Sequence, residues 1–324
     1  MAQSETKPVA VIVVTYNRLR LLEECLEALR GQTYRGFDIL VVDNASTDGT
    51  GDRLRPMAER GELLYYNTGA NLGGAGGFNY GLRRGYELGY QYFWLMDDDT
   101  VPTPTALEAI VRAGEALGGD YGYLCSRAVW TDGALCKMNW PSTNNVRVAL
   151  PAEPGGLVPI DKATFVGFFV SRDIVSRVGL PIREFFIWAD DTNYCLRINH
   201  IARGYWATGS VVTHKMGSNT DANIVTDDSG RLGRYEYAFR NRCYNYRMEG
   251  HRVLFLLYAA KKTLEVLLFA RDHKLERLRH LIRGVWQGFS FRPGIEYPEE
   301  GQCGPSMDSA SSMDSASSLS GAKP

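Results

Sequence analysis

The chain has 324 residues, 44% hydrophobic and 23% charged, with a formal net charge of -1. That profile suits a soluble globular protein of one large domain or two small ones. It excludes a general nucleic-acid binder, which needs a basic footprint. The six cysteines (Cys25, Cys125, Cys136, Cys195, Cys243, Cys303) form no CxxC pair and no zinc-type spacing, which fits reduced thiols in a cytoplasmic protein rather than a disulfide framework. The N-terminal stretch has no basic region leading into a long apolar run, so no signal peptide is expected. No segment reaches the ~20 uninterrupted apolar residues of a spanning helix.

The first hundred residues alternate between two periods. "VAVIVV" (9–14) is a β-branched apolar run, as for a strand buried on both faces, and 18–30 has helical spacing with Leu22, Cys25, Leu26 and Leu29 on one side. "FDILVV" (37–42), "ELLYYN" (62–67) and "YFWLM" (92–96) read as further strands, with helices over about 50–60 and 75–88 between them. This order predicts an α/β fold with a mostly parallel sheet flanked by helices. Ligands of such sheets bind beyond the carboxyl ends of the strands. Those ends are polar: Thr15-Tyr16-Asn17, Asp43 opening "DNASTDGT", "NTGANLGGAGGFNYG" (67–81), and Asp97-Asp98-Asp99. Turn and capping preferences suffice for any one of them, but not for all four with a triple carboxylate.

A helix is expected near 104–117, followed by a looser Gly-, Pro- and Asn-rich stretch over 120–160. "KATFVGFFVSR" (162–172) is strand-like, a helix starts at about Asp190, and 205–218 holds a short strand ending at His214. Residues 253–270 are apolar but broken by Lys261, Lys262 and Glu265, and 251–292 carries nine Lys/Arg against three Asp/Glu. A basic helix with a broad apolar face suits a membrane surface; packing on the α/β domain or on a second subunit is an equal alternative. The chain thus divides into an α/β domain over 1–220, a helical region over 221–298 and a Ser/Ala-rich tail over 299–324, which repeats MDSASS and has almost nothing to bury.

Carboxylates at the carboxyl edge of a sheet suit a hard divalent cation. In an extended segment Asp97 and Asp99 point the same way and can share one ion, leaving Asp98 to face elsewhere, towards a sugar hydroxyl for instance. His214 is a candidate third ligand, and an imidazole in the set would favour Mn2+ over Mg2+. Asp190-Asp191 stand at a helix start, where carboxylates are favoured by the helix dipole, yet they follow directly on "FFIWA". A carboxylate set apart from a metal-bound leaving group can serve as a base. "NLGGAGGFNYG" allows close backbone approach to an anion, but it is neither a P-loop nor a dinucleotide fingerprint.

"VVTYNR", "ILVVDNASTDGT", "WLMDDDT" and "FFIWADDTNYCLR" together resemble the inverting family 2 glycosyltransferases, over about residues 9–215. With "NLGGAGGF", "THKMGS" and "YEYAFRNRCYNYR" the likeness is greatest to the bacterial galactofuranosyltransferases, and related rhamnosyltransferases share much of it. The resemblance implies a GT-A (Rossmann-like) fold and a metal site of Asp97, Asp99 and His214 holding Mn2+ or Mg2+. It implies a donor pocket of Thr15, Tyr16, Asn17, Asp43, Asn71, Gly73, Gly74 and Asp98, with Asp43 reaching the uracil or ribose. Asp191 would be the general base, and Trp188, Asp190, Arg240 and Arg242 would contact the acceptor or phosphates. The family pattern often has Glu-Asp at 190–191. The implied donor is UDP-galactofuranose and the implied acceptor a lipid-linked glycan at the inner face of the cell membrane, served by a peripherally bound cytoplasmic enzyme. A homo-oligomer is compatible with this. The alternatives are a dTDP-rhamnose donor, a nucleotidyltransferase, and a non-catalytic nucleotide-sugar binder.

Overall fold

The computed structural model describes residues 8–151 and 155–299, so nearly all of the Ser/Ala-rich tail lies outside it. The elements in chain order are β1 (Val9–Thr15), α1 (Leu19–Arg30), β2 (Phe37–Asp43), α2 (Thr50–Glu59), β3 (Leu64–Asn67), α3 (Gly73–Glu87), β4 (Tyr92–Asp97), β5 (Thr100–Pro102), α4 (Ala106–Ala116) and β6 (Tyr123–Val129). There follow β7 (Ser142–Thr143), β8 (Val146–Arg147), β9 (Leu157–Ile160), β10 (Phe168–Ser171), α5 (Arg172–Val178), α6 (Asp190–Asn199), β11 (Gly204–His214), α7 (Arg234–Met248), α8 (Arg252–Phe269) and α9 (Lys274–Ser290).

All seven residues of β1 are buried because the strand is covered on both faces. Val9, Val11 and Val13 join one core with Leu22, Leu26 and Leu29 of α1 and Leu54 of α2. Ala10, Ile12 and Val14 join the other with Phe78, Leu82 and Tyr86 of α3. Period-two alternation thus divides one strand between two helical layers.

The main sheet runs β3-β2-β1-β4-β10-β6-β11-β5, with β9 paired to β11. The first four strands are parallel, whereas β10 is antiparallel to both β4 and β6. Register aligns the strand ends: Thr15 pairs with Asp43, Asp43 with Asn67, and Val14 with Asp97. The polar ends therefore share one edge of the sheet.

Two expected strands differ in extent. Of 162–172 only Phe168–Ser171 forms a named strand, because Gly167, at φ +76°, ends the extended run. The strand ending at His214 has eleven residues rather than a few, with a register shift between Ala207 and Val211.

Helices α7 and α9 pack on each other around Leu232, Phe239, Val266 and Leu281. Outside that contact, α8 and α9 leave Val253, Leu257, Leu268, Phe269, Leu275 (84% exposed) and Trp286 (76% exposed) in the open. Among the described residues no helix is long and apolar enough to cross a membrane.

Candidate active site

The three aspartates terminate β4 and turn into β5, which runs antiparallel to β11 with Thr100 opposite His214. The backbone N–H of Lys215 donates to the Asp99 carbonyl at 2.8 Å and fixes this approach. Ligand atoms of Asp97, Asp99 and His214 consequently lie within 4.8 Å of one another. Asp98 alternates away, as expected: its Oδ2 accepts from Thr15 Oγ1 at 2.8 Å.

Arg18 is a counter-ion of this cluster: its Nη1 lies 2.8 Å from Asp99 Oδ2 and 3.3 Å from Asp98 Oδ1. It sits three residues past β1, inside the "VVTYNR" motif, but nothing in the local pattern shows a partner eighty residues away. Burial, and then the Asp99 charge, push Asp97 up to about 7. Burial, with Asp99 adding to it against Arg18, holds Asp98 at about 6. Asp99 goes the other way: its burial is outweighed by His214 and Arg18, which hold it below the ordinary carboxylate value.

His214 is oriented for ligation. Its Nδ1 lies 2.8 Å from Oδ1 of Asn139, an acceptor, so Nδ1 carries the proton and Nε2 faces the carboxylates. Nε2 is 2.9 Å from Asp99 Oδ1, a buried oxygen that otherwise receives no hydrogen bond. Two lone pairs at that distance need a cation between them: a proton, or a divalent metal. Without a metal the ring takes the proton; burial lowers its pKa, but the Asp99 contact dominates and raises it to about 10. An Asp-Asp-His set with an orphaned buried oxygen fits a divalent ion.

The second acidic pair opens α6. The loop before it has three non-glycine residues at positive φ, Phe186 (63°), Trp188 (65°) and Ala189 (66°), sparsely populated backbone that costs about 1–3 kcal/mol per residue. Two buried asparagines of α7 hold it. Asn241 Nδ2 donates to the carbonyls of Phe185, Ile187 and Trp188 at 2.8, 3.1 and 2.9 Å. Asn245 Nδ2 donates to that of Ala189 at 3.0 Å. The loop also packs on the start of α3, where Ala75 N donates to the Phe186 carbonyl. A side chain at Gly73, itself at φ +70°, would collide with that carbonyl. Burial, and then Asp191, raise Asp190 well above the ordinary carboxylate value. Burial alone takes Asp191 to about 6 against its hydrogen bond from Thr192 N.

A cavity of about 2180 Å³ joins the two acidic centres. Thr15, Tyr16, Asn71, Gly73, Gly74, Asp97, Asp98, Asp99, Trp188, Asp190, Asp191, His214 and Arg242 all reach its wall. Asn17, Asp43 and Arg240 do not. Asn17 accepts from Thr47 N at 2.7 Å and shapes the loop after β2. Asp43 is fully buried, its oxygens taken by Ser46 N at 2.8 Å and Tyr65 OH at 2.6 Å. Arg240 donates to the carbonyls of Glu184 and Phe185 and lies over Phe291. In "RNR" it is therefore the middle residue, Asn241, that shapes the site, a role charge-reading overlooks. Arg18, Asn139 and Lys162 are further wall residues that the sequence reading missed.

Residues 10–134 match the family model described as glycosyl transferase family 2. Galactofuranosyltransferase GlfT1 of Mycolicibacterium smegmatis is 24% identical over 271 residues, covering 76% of this chain and 83% of that protein. Among solved structures, GalNAc-T7 superposes with a TM-score of 0.60 at 12% identity, over 86% of this chain and 55% of that one. The mannosyltransferase PcManGT from Pyrobaculum calidifontis superposes with a TM-score of 0.51 at 16% identity, over 87% of each chain. At such identities the structures establish the fold, and the family match adds the chemistry. The chain carries a family 2 glycosyltransferase domain on a GT-A fold and is a glycosyltransferase.

Proposed function

We propose that this enzyme is an inverting, metal-dependent glycosyltransferase that moves galactofuranose from UDP-galactofuranose onto a hydroxyl of a lipid-linked or cell-surface glycan. The observation that carries the reading is the pairing, across one cavity, of a metal-type centre (Asp97, Asp99, His214) with a separate carboxylate, Asp191, that stands outside that set. The choice of sugar is supported by likeness to GlfT1. A divalent ion and a nucleotide donor are supported by two fold neighbours, GalNAc-T7 with UDP, GalNAc and Mn2+ and PcManGT with GDP-mannose and Mn2+.

The donor diphosphate would lie against Asp97, Asp99 and His214, where a bound divalent ion would offset the charge of the departing nucleotide. Thr15, Tyr16, Asn71, Gly73, Gly74 and Asp98 would line the nucleotide-sugar pocket, while Asn17 and Asp43 would hold the loop behind it. Asp191 takes the proton of the acceptor hydroxyl. The oxygen forms its bond to the anomeric carbon opposite the diphosphate, and the broken C–O pair leaves with UDP. Trp188, Asp190 and Arg242 would contact the acceptor side. Arg18 would exchange carboxylates for the incoming diphosphate.

We assign this chemistry to residues 1–220 and a supporting, membrane-facing role to 221–298, which exposes the apolar faces of α8 and α9 beside a surplus of Lys/Arg. Docking there to the inner face of the cell membrane would bring the enzyme to a lipid-linked acceptor. The test is incubation of the full chain with UDP-galactofuranose, Mn2+ and a lipid-linked acceptor, reading the anomeric configuration of the product by NMR. Inversion relative to the donor is expected. Retention, or transfer from dTDP-rhamnose alone, would overturn the mechanism or the donor respectively.

A further inference from the structure

Asp190 and Asp191 share the first turn of α6, where burial raises both carboxyl groups and the Asp191 charge raises Asp190 further. A base buried beside a second acid works only if something keeps it charged.

Two side chains from separate elements bring positive charge to it. The segment after β9 runs along α6: Asn199 Nδ2 donates to the Asp161 carbonyl at 2.7 Å, and Ala163 N donates to Cys195 Sγ at 3.4 Å. Cys195 lies one turn along from Asp191, so Lys162 is held against that helix. Helix α7 is tied to the same place. Asn193 Nδ2 of α6 donates to Asn245 Oδ1 at 3.0 Å, and Asn241 and Asn245 clamp the loop before Asp190. Arg242 stands between those two asparagines in the chain. Lys162, Arg242 and Asp191 all reach the wall of the cavity.

Among the described residues neither cation is in ion-pair contact with Asp191. The Lys162 ammonium donates to the side chain of Asn145. The Arg242 guanidinium donates to the Tyr258 hydroxyl and lies over that ring at 4.7 Å. Both charges therefore face the carboxylate without occupying it. Asp191 Oδ1 accepts from Thr192 N, and among the described residues Oδ2 receives no hydrogen bond. A tight ion pair would hold the carboxylate charged but would also block it; cations at a remove do the first without the second.

The other charges around this end run against ionisation. Asp190, Asp161 and Glu249 are acids in the same wall. Glu249 Oε1 is buried without a hydrogen-bond partner, 3.5 Å from His200 Nε2. Cys195 is buried and pushed up to about 12, so it is neutral; Tyr246 and His251 complete this end of the cavity. Burial takes Asp191 to about 6, opposed by Thr192 and then by Arg242 and Lys162.

We propose that Lys162 and Arg242 are positioning residues for the base, holding the Asp191 carboxylate ionised while leaving an oxygen open to the acceptor proton. The proposal rests on the reading of Asp191 as the base.

The experiment isotope-labels the aspartate carboxyl carbons of the full chain and follows them by NMR through pH. The signal missing from Asp191→Asn identifies Asp191, whose midpoint of about 6 is the reference. Lys162→Gln and Arg242→Gln are each expected to move that midpoint up by about half a pH unit or more. Lys162→Arg and Arg242→Lys should leave it near the wild-type value, and melting temperature reports folding in each variant. Unmoved midpoints in well-folded glutamine variants, or equal movement in the charge-keeping ones, would overturn the proposal. This titration needs neither donor nor acceptor and so stands apart from the base reading. Transfer tests that reading: the acidic limb of turnover should move with the midpoint. A limb that stays while the midpoint moves would overturn Asp191 as the base, and with it the consequence for catalysis.

Discussion

Replacing Asn241 by Leu keeps the branched shape of a fully buried side chain but removes the donors that hold the loop before Asp190. One amide group serves three carbonyls, at 2.8, 3.1 and 2.9 Å, with two N–H bonds. Losing two neutral hydrogen bonds is worth about 2 kcal/mol, and stranding buried carbonyls raises the cost to about 4 kcal/mol. With an unfolding entropy of about 2.1 cal/mol/K per residue, a chain of this length should melt roughly 3–6 °C lower. The kinetic effect should exceed the thermal one. Phe186, Trp188 and Ala189 sit at positive φ, and once unclamped they have an incentive to relax, carrying Asp191 with them. A displacement of ~1 Å at a reacting group can cost on the order of 100-fold in rate, so turnover should fall at least tenfold. Melting curves and steady-state transfer at saturating donor provide the check. A variant with wild-type turnover and an unshifted melting temperature would refute the clamp and, with it, the reason for the strained loop.

Asp191→Asn should abolish transfer and preserve nucleotide binding. In the unaltered enzyme the base must be ionised, so turnover should drop as pH falls through about 6, the value to which burial raises Asp191. The stability sign is opposite: a raised carboxylate pKa favours the fold below the unfolded value near 4 and loses that benefit as pH rises through 6. Asp191→Asn should therefore melt higher than wild type at pH 7.5, with the gap closing below pH 4; an equal gap at both would contradict the assignment. Arg18→Gln takes the guanidinium from Asp98 and Asp99 and leaves only His214 beside Asp99, so added Mn2+ should raise its melting temperature more than that of wild type, and an equal rise would argue against Arg18 as a neutralising charge. Gly73→Ala combines positive φ with a collision against Phe186; melting and UDP titration should both show a loss, and a neutral result would remove the contact between α3 and the acidic loop.

Where a strand is buried on both faces its sequence says so, and β1, β2 and β4 were legible from apolar runs alone. The split of the triple aspartate was also legible, because side-chain alternation is local: Asp97 and Asp99 join His214 while Asp98 turns to Thr15. What escaped depends on partners distant in sequence. Arg18 meets Asp98 across eighty positions. Asn139, from the irregular stretch that sequence patterns could not resolve, sets the tautomer of His214. Asp43 was expected from the family likeness to reach the uracil or ribose, yet Tyr65 on the neighbouring strand closes over its carboxylate. Arg240 was expected from the same likeness to meet the acceptor or phosphates, and its guanidinium donates to carbonyls of the loop that Asn241 clamps. The apolar character of 253–270 was plain; that so much of it stays uncovered was visible only once α7 and α9 were seen to pack on each other.

The central claim is that the aspartates at the end of β4 bind a nucleotide donor through a divalent ion. Calorimetric titration of UDP into the protein, first with Mn2+ and then with the metal chelated, tests it most directly, with Asp99→Asn as the control. Tight binding that requires Mn2+ and is lost in the variant is the predicted result. UDP binding that is equally tight without metal, or unchanged in Asp99→Asn, would contradict the account.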